Sequence, residues 1–374
     1  MASALFSPLR LRGITFRNRV MLSPMNQYSA VDGAACDWHF GHLAQYAMGG
    51  AGVVFLEATK VERRGKGTVG DLGLWKDEHI APIKRIAGFM RAQGAVPAIQ
   101  LSHAGRKAGS CRPWEGFRTL DRSRPVEGEA HWQMLGPSAV PFLEGWPVPE
   151  VMTEDDIAAV VESFAQAARR SDAAGLDVIE LHGAHGYLIH QFLSTASNQR
   201  TDRYGGSLDN RMRFALEVVA AVRAVWPAHK PLFFRISSVD ESGWSLEDSV
   251  VLAQALKSAG VDAIDCSSAG ISVRSVALFS GTKLLGYQVP YAERVRRDAD
   301  IPTIAVGFII KPRQAEEIVA SGKADLVALA REMMVDPFWT AHAARELGVD
   351  EDFHTLPPSY AWWLDRREKA GHGR

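Results

Sequence analysis

Eight short apolar runs, each followed by a stretch with helical periodicity, constrain this chain more than any other feature. The runs lie at 19–22, 53–58, 96–102, 177–182, 232–237, 263–267, 303–306 and 326–330. Their length, apolar content and bounding turn residues fit buried parallel strands. The intervening segments 38–48, 80–93, 155–174, 208–225, 246–258, 291–298, 313–320 and 338–347 read as helices. In the third, Ile157, Val160, Val161 and Phe164 fall on one face. Thr153, with Asp156 three residues later, has the spacing of a capping box. Gly94, Gly175, Gly260, Gly322 and Gly348 follow helices where a left-handed cap is expected. Eight strand–helix units close a (β/α)8 TIM barrel; an open doubly wound sheet, usually with fewer strands, is the alternative.

The expectation is one α/β domain over residues 1–374, with no Pro-, Gly- or Ser-rich linker dividing it. The length exceeds a minimal barrel of ~250 residues. The excess falls in a Trp-, Pro- and Gly-rich insertion at about 104–152, after the third strand, and in a tail at about 356–374. A loop that long usually serves function, and here it caps the C-terminal face where barrel enzymes keep their sites.

Composition narrows the function. Lys+Arg is 42 and Asp+Glu 43, a net charge of -1, without the basic excess of a nucleic-acid protein or the charge of a membrane-surface protein. No run approaches ~18 apolar residues, so no membrane-spanning helix is expected. Residues 1–20 carry four arginines and no apolar h-region. Cys36, Cys111 and Cys266 are too few and too scattered for a disulfide framework or a CxxC metal site. These features point to a reduced, cytoplasmic enzyme.

Alternate residues of a barrel strand face inward. Ile99, Leu101, Ile179, Leu181, Phe234 and Ile236 suit the helix side, which leaves Gln100, Glu180, His182 and Arg235 inside. Buried charge is costly unless paired or liganded. His182, His185 and Tyr187 leave the top of the fourth strand. A metal site would need a third ligand, and none stands out. The histidines suit paired donors to an oxyanion, and Tyr187 suits a proton donor. Gly307 and Phe308 after strand seven, and Ala330 and Arg331 after strand eight, lie where barrels bind phosphate. The Gly49-Gly50-Ala51-Gly52 run precedes a strand, so it reads as a turn rather than a dinucleotide fingerprint.

Taken in order, these residues resemble the Old Yellow Enzyme family of FMN-dependent ene-reductases. The likeness runs over nearly the whole chain. It includes Asn18-Arg19, Ser23-Pro24-Met25, the stretch from Gln100 through His103-Ala104-Gly105-Arg106-Lys107, His182 to Tyr187, Ser197 to Ser207, and Asp336-Pro337-Phe338. Tyr28 and the Tyr360-Ala361-Trp362-Trp363-Leu364 tail resemble the bacterial xenobiotic-reductase subclass.

The resemblance implies FMN contacted by Ser23, Pro24, Met25, Asn26, Ala58, Gln100 and Arg235, its phosphate on Gly307, Ala330 and Arg331. It implies NADPH or NADH as hydride donor and an activated alkene as substrate. His182 and His185 would bind the substrate oxygen, Tyr187 would protonate the α-carbon, and Tyr28, Lys107 and Trp363 would line the substrate site. Trp363 would come from a neighbouring subunit, in a homodimer or a dimer of dimers. Two positions depart from the family pattern: Asn26 stands where the subclass usually has cysteine, and Ala330 where glycine is common. Asn26 and the tryptophans of the insertion keep open an alternative on the same FMN scaffold: an isomerase, demethylase or desaturase. A flavin-free aldolase barrel would require a Schiff-base lysine at a strand end, and none is seen.

Overall fold

The computed structural model describes residues 3–116, 118–120, 132–240, 242–272 and 284–372. Residues 117 and 121–131 of the insertion and the last two residues of the tail lie outside that set. A short antiparallel hairpin, β1 (Leu9–Leu11) and β2 (Ile14–Phe16), comes first, with Leu9 opposite Phe16. It is followed by β3 (Val20–Leu22), β4 (Val53–Lys60) and β5 (Val96–Ser102). A two-residue pair within the insertion, β6 (Leu135–Gly136) and β7 (Glu150–Val151), precedes β8 (Val178–Gly183), β9 (Leu232–Ser237), β10 (Ala263–Ser267), β11 (Thr303–Ala305) and β12 (Leu326–Leu329). Eight of these strands close a parallel barrel in the order β10-β11-β12-β3-β4-β5-β8-β9. The barrel expectation therefore holds, and the open sheet does not.

Side-chain parity organises the interior. Ile99, Leu101, Ile179, Leu181, Phe234 and Ile236 pack outward with Val160, Phe164 and Val218 of the helices. Inside, Met21, Phe55, Ala98, Val178, Phe233, Ala263, Ile304 and Leu326 form a second apolar cluster. Burying each large side chain contributes about 1.5–3 kcal/mol. Phe16 of the hairpin joins this cluster, 6.2 Å from Phe233, so the hairpin plugs the N-terminal end. One inward step further, four adjacent strands turn polar, β5 at Gln100, β8 at Glu180, β9 at Arg235 and β10 at Asp265. The same alternation thus seals the bottom and opens a site at the top.

The helices begin and end as their sequence signals indicate. Thr153 Oγ1 accepts the Asp156 N–H at 3.1 Å, while the Asp156 carboxylate accepts the Thr153 N–H at 3.0 Å, which starts the helix Glu154–Ala173. The five expected terminating glycines all have φ between +67° and +98°. The run at 49–52 is the turn from the helix Asp37–Met48 into β4. Among the described residues no helix is long and apolar enough to cross a membrane.

Candidate active site

Two adjoining cavities open at the C-terminal ends of the strands, about 490 and 380 Å³ in volume. They share Ser23, His185, Arg235 and Ala330. The larger is also lined by Pro24, Asn26, Tyr28, Ala58, Gln100, Lys107, His182 and Tyr187, and the smaller by Gly307 and Arg331. Two expected residues lie elsewhere. Met25 lines neither cavity; it is half-buried against the apolar core. Trp363 sits on the exposed helix Pro358–Arg367 and reaches neither cavity of its own chain.

The floor of the site is an ionic layer. Gln100 Nε2 donates to Glu180 Oε1 at 2.7 Å, and Arg235 Nε lies 3.4 Å from Asp265 Oδ2. Arg235 Nη1 donates to Ser23 Oγ at 3.1 Å. Burial pushes both carboxyls up, and the charge of Asp265 pushes Glu180 further, against the opposing pull of Arg235. The inward parity of β10 could have revealed Asp265, the one acid in the apolar run Ala263–Ser267.

Above it stand the two histidines. His182 Nε2 and His185 Nδ1 face each other at 3.4 Å. The Ala184 N–H donates to His182 Nδ1 at 3.3 Å, which places the His182 proton on Nε2. Ser267 Oγ lies 2.7 Å from His185 Nε2; when the hydroxyl donates there, the His185 proton is on Nδ1, the nitrogen that faces His182. Burial drives both pKa values well below the ordinary histidine range, with Arg235 adding to the effect at each, so both rings are neutral donors.

The backbone holding this pair is strained. His185 has φ +57°, a left-handed conformation that costs a β-carbon-bearing residue about 1 kcal/mol or more. Its N–H donates to Ser237 Oγ at 3.0 Å, and its carbonyl accepts Lys107 Nζ at 2.7 Å. Lys107 also donates to the Gly270 carbonyl at 2.6 Å. The expected substrate-binding lysine thus lines the cavity but directs its ammonium to two carbonyls. Sequence spacing shows no sign of that long-range clasp.

Tyr187 caps the short helix Leu188–Leu193, and its ring lies 4.8 Å from that of His182. Burial raises its pKa, the charge of Asp71 adds to this, and a hydrogen bond with Asn26 works against it. Tyr28 is also raised, by burial first, then by Tyr187 and by Asp71, with a hydrogen bond to Asn26 opposing. Asn26 therefore stands between two protonated phenols. Lys60, fully buried, places Nζ 4.7 Å over the Tyr187 ring and 3.5 Å from Asp71 Oδ2. In the insertion, the Trp132 indole donates to the Lys66 carbonyl at 3.1 Å, and Phe142 and Trp146 line the larger cavity.

At the far end Gly307 has φ +102°, and a β-carbon there would meet Gln288 Nε2 at 2.7 Å and Tyr287 Cε1 at 3.1 Å. The glycine keeps this cradle open. Ala330 has φ −120° and ψ −95°, so it avoids the left-handed region but lies outside the β and right-handed wells. The Arg331 guanidinium lies 5.4 Å over the Phe308 ring. A buried cation at one end, an open cradle beside a second arginine at the other, and a continuous cavity of ligand size between them fit a flavin mononucleotide.

Residues 4–350 match the model of the NADH:flavin oxidoreductase / NADH oxidase family. The chain belongs to that family. This is the Old Yellow Enzyme family that the motifs resemble, and the protein is an FMN-dependent oxidoreductase that takes its electrons from NAD(P)H. An NADPH dehydrogenase of Geobacillus sp. (strain WCH70) is 44% identical over 353 residues, 93% of this chain and 96% of the relative. Among solved structures, morphinone reductase superposes with TM-score 0.74 at 26% identity, covering 96% of this chain and 93% of the other. The complex of 2-naphthoyl-CoA reductase gives TM-score 0.79 at 25% identity, covering 94% of this chain; this chain spans about half, 53%, of that longer protein. Within the flavin oxidoreductase fold, Gln100 and Arg235 line the cavity with Glu180 and Asp265 buried beneath them, and the histidine pair lines its wall.

Proposed function

We propose that this oxidoreductase reduces the activated C=C bond of α,β-unsaturated carbonyl or nitro compounds, by a ping-pong sequence in which NAD(P)H and the alkene use the cavity in turn. The observation that carries the reading is the pair of ring nitrogens, His182 Nε2 and His185 Nδ1, 3.4 Å apart on rings held neutral by burial, beside the partly buried Tyr187, whose phenol is held protonated. FMN, when bound, supplies the hydride chemistry: it accepts from NAD(P)H and delivers to the β-carbon. In this reading Ser23, Pro24, Asn26, Ala58, Gln100 and Arg235 hold its ring, and Gly307, Ala330 and Arg331 its phosphate.

His182 and His185 bind the carbonyl or nitro oxygen and stabilise the negative charge that grows there. Their neutrality matters, because each keeps one proton to donate without a buried charge to solvate. Tyr187 gives its proton to the α-carbon. Tyr28 forms a side wall, and Lys107 shapes the site by fixing the His185 carbonyl. The relative named NADPH dehydrogenase supports NADPH as the donor, and the relative named morphinone reductase supports a reductase reading.

The same proposal assigns the chain to the xenobiotic-reductase-like subclass and to a homodimer or dimer of dimers. Trp362 and Trp363 are 48% and 67% exposed on one tail helix, an apolar surface that suits a neighbouring subunit's site. The three free cysteines support a reduced, cytoplasmic setting. Anaerobic reduction with NADPH followed by 2-cyclohexenone tests the reaction. Reoxidation of the flavin with formation of cyclohexanone is expected; a reduced flavin that no activated alkene reoxidises would overturn the reading.

A further inference from the structure

Outside the cavity, three titratable side chains form a line from the surface inward. Cys36 is exposed at the N-cap of the helix Asp37–Met48. Its Sγ lies 3.4 Å from His39 Nδ1. His39 Nε2 lies 3.3 Å from Glu57 Oε1, with both side chains only 2% exposed. The Cys36 N–H donates to the same Nδ1 at 3.1 Å, so the His39 proton sits on Nε2, on the Glu57 side, and the thiol shares the Nδ1 lone pair with that N–H. The other Glu57 oxygen accepts the Gln27 N–H at 3.1 Å, in the loop that carries Asn26 and Tyr28 into the cavity. A nucleophile in hydrogen-bond contact with a base, and a carboxylate at ion-pair distance behind that base, is the arrangement that activates a thiol.

We propose that Cys36, with His39 as its base and Glu57 as the group that orients it, is a covalent capture site for soft electrophiles, and that activated alkenes are the natural class. The choice of alkene rests on the reductase reading above; the nucleophilicity of the thiol does not. In the capture step the Sγ proton passes to His39 Nδ1. The sulfur pair forms a C–S bond at the β-carbon while the C=C π pair moves to the α-carbon. The α-carbon then takes the proton back from His39. The sum is a simple addition, with nothing oxidised or reduced.

The local electrostatics support this. Burial opposes the Cys36 thiolate, but the Trp38 N–H and the His39 side chain outweigh it and hold the thiol below its ordinary range. Burial also opposes His39 protonation, and Glu57 outweighs it. An adduct would sit against the Ser29 carbonyl, 3.3 Å from Sγ, and beside Trp38, whose indole donates to Gln27 Oε1 at 3.2 Å. Capture at the surface therefore bears on the loop that shapes the cavity.

The test uses the intact flavoprotein without NADPH at neutral pH, treated with iodoacetamide or with 2-cyclohexenone and read by intact mass and peptide mapping. A single adduct on Cys36 is expected from each reagent; Cys266 is buried, and Cys111 is on the wall of the larger cavity, so peptide mapping separates label there from label on Cys36. Cys36→Ser should abolish the label and keep alkene reduction, because serine is a good N-cap. His39→Gln should slow labelling about 5- to 10-fold, since an ordinary thiol is only a few per cent thiolate near pH 7. If that variant does not fold, Glu57→Gln and comparison with free N-acetylcysteine serve instead. Cys36 reacting more slowly than N-acetylcysteine, or at the same rate in the base variants, would overturn the site. Labelling by iodoacetamide without any cyclohexenone adduct would overturn the assignment of alkenes. Neither result bears on whether the flavin reduces alkenes.

Discussion

Lys107 Nζ donates to the carbonyl oxygen of His185 at 2.7 Å and holds that residue at φ +57°. The lysine comes from the start of the insertion and the histidine from the loop after β8, so the insertion sets the geometry of the catalytic wall as well as covering it. Lys107→Met removes this charge-assisted bond and the one to Gly270. A charged hydrogen bond contributes about 1.5–3 kcal/mol, so kcat/KM for 2-cyclohexenone should fall about 10- to 100-fold. Flavin content should hold, and the rate of flavin reduction by NADPH should change less. An unchanged kcat/KM would show that His185 keeps its place without the clasp.

Tyr187→Phe removes the proton and leaves the ring. A positioned proton donor contributes about 10²- to 10⁴-fold. Flavin reoxidation by the alkene should slow by that factor, while reduction by NADPH is expected to keep its rate. Stopped-flow measurement of the two half-reactions checks this. Equal loss in both halves would assign Tyr187 to packing.

The pH dependence has a definite sign. Burial and nearby positive charge lower both histidine pKa values, so protonation, and loss of the neutral ring, lies well below the ordinary midpoint near ~6.5. Both rings therefore stay neutral donors across the neutral range, and the kcat/KM for alkene reduction should stay level from about pH 8 down to about 5.5. A drop centred near ~6.5 would mean that one of the rings titrates as an exposed histidine does.

Much of this was legible in the residues, and the exceptions have physical causes. Alternation placed Gln100, Glu180, His182 and Arg235 inside because a strand has only two faces. The hairpin of β1 and β2 leaves no signal in the sequence because its strands are three residues each, too short to show a period. Asp265 is a single acid in an otherwise apolar run, and its parity matches that of Arg235 beside it in the sheet. The Lys107 clasp spans 78 residues to His185 and 163 to Gly270, and barrel closure alone creates such pairs. Motif matching drew Met25 into the site, but its side chain follows its apolar character into the core.

Removing the chain after Leu356 deletes the helix that exposes Trp362 and Trp363. If that surface completes a neighbour's site, KM for bulky enones should rise about tenfold, the equivalent of ~1.4 kcal/mol of lost binding. The sedimentation coefficient should also fall toward that of a monomer. Unchanged KM and assembly would remove the tail from the account.

The histidine pair is the centre of the account, and one complex tests it most directly. The flavoprotein is to be crystallised with p-hydroxybenzaldehyde, whose phenolic oxygen mimics the substrate oxygen. The predicted result places that oxygen within ~3 Å of both His182 Nε2 and His185 Nδ1, under the ring of Tyr187. A phenol bound in the cavity with its oxygen away from both nitrogens would contradict the assignment.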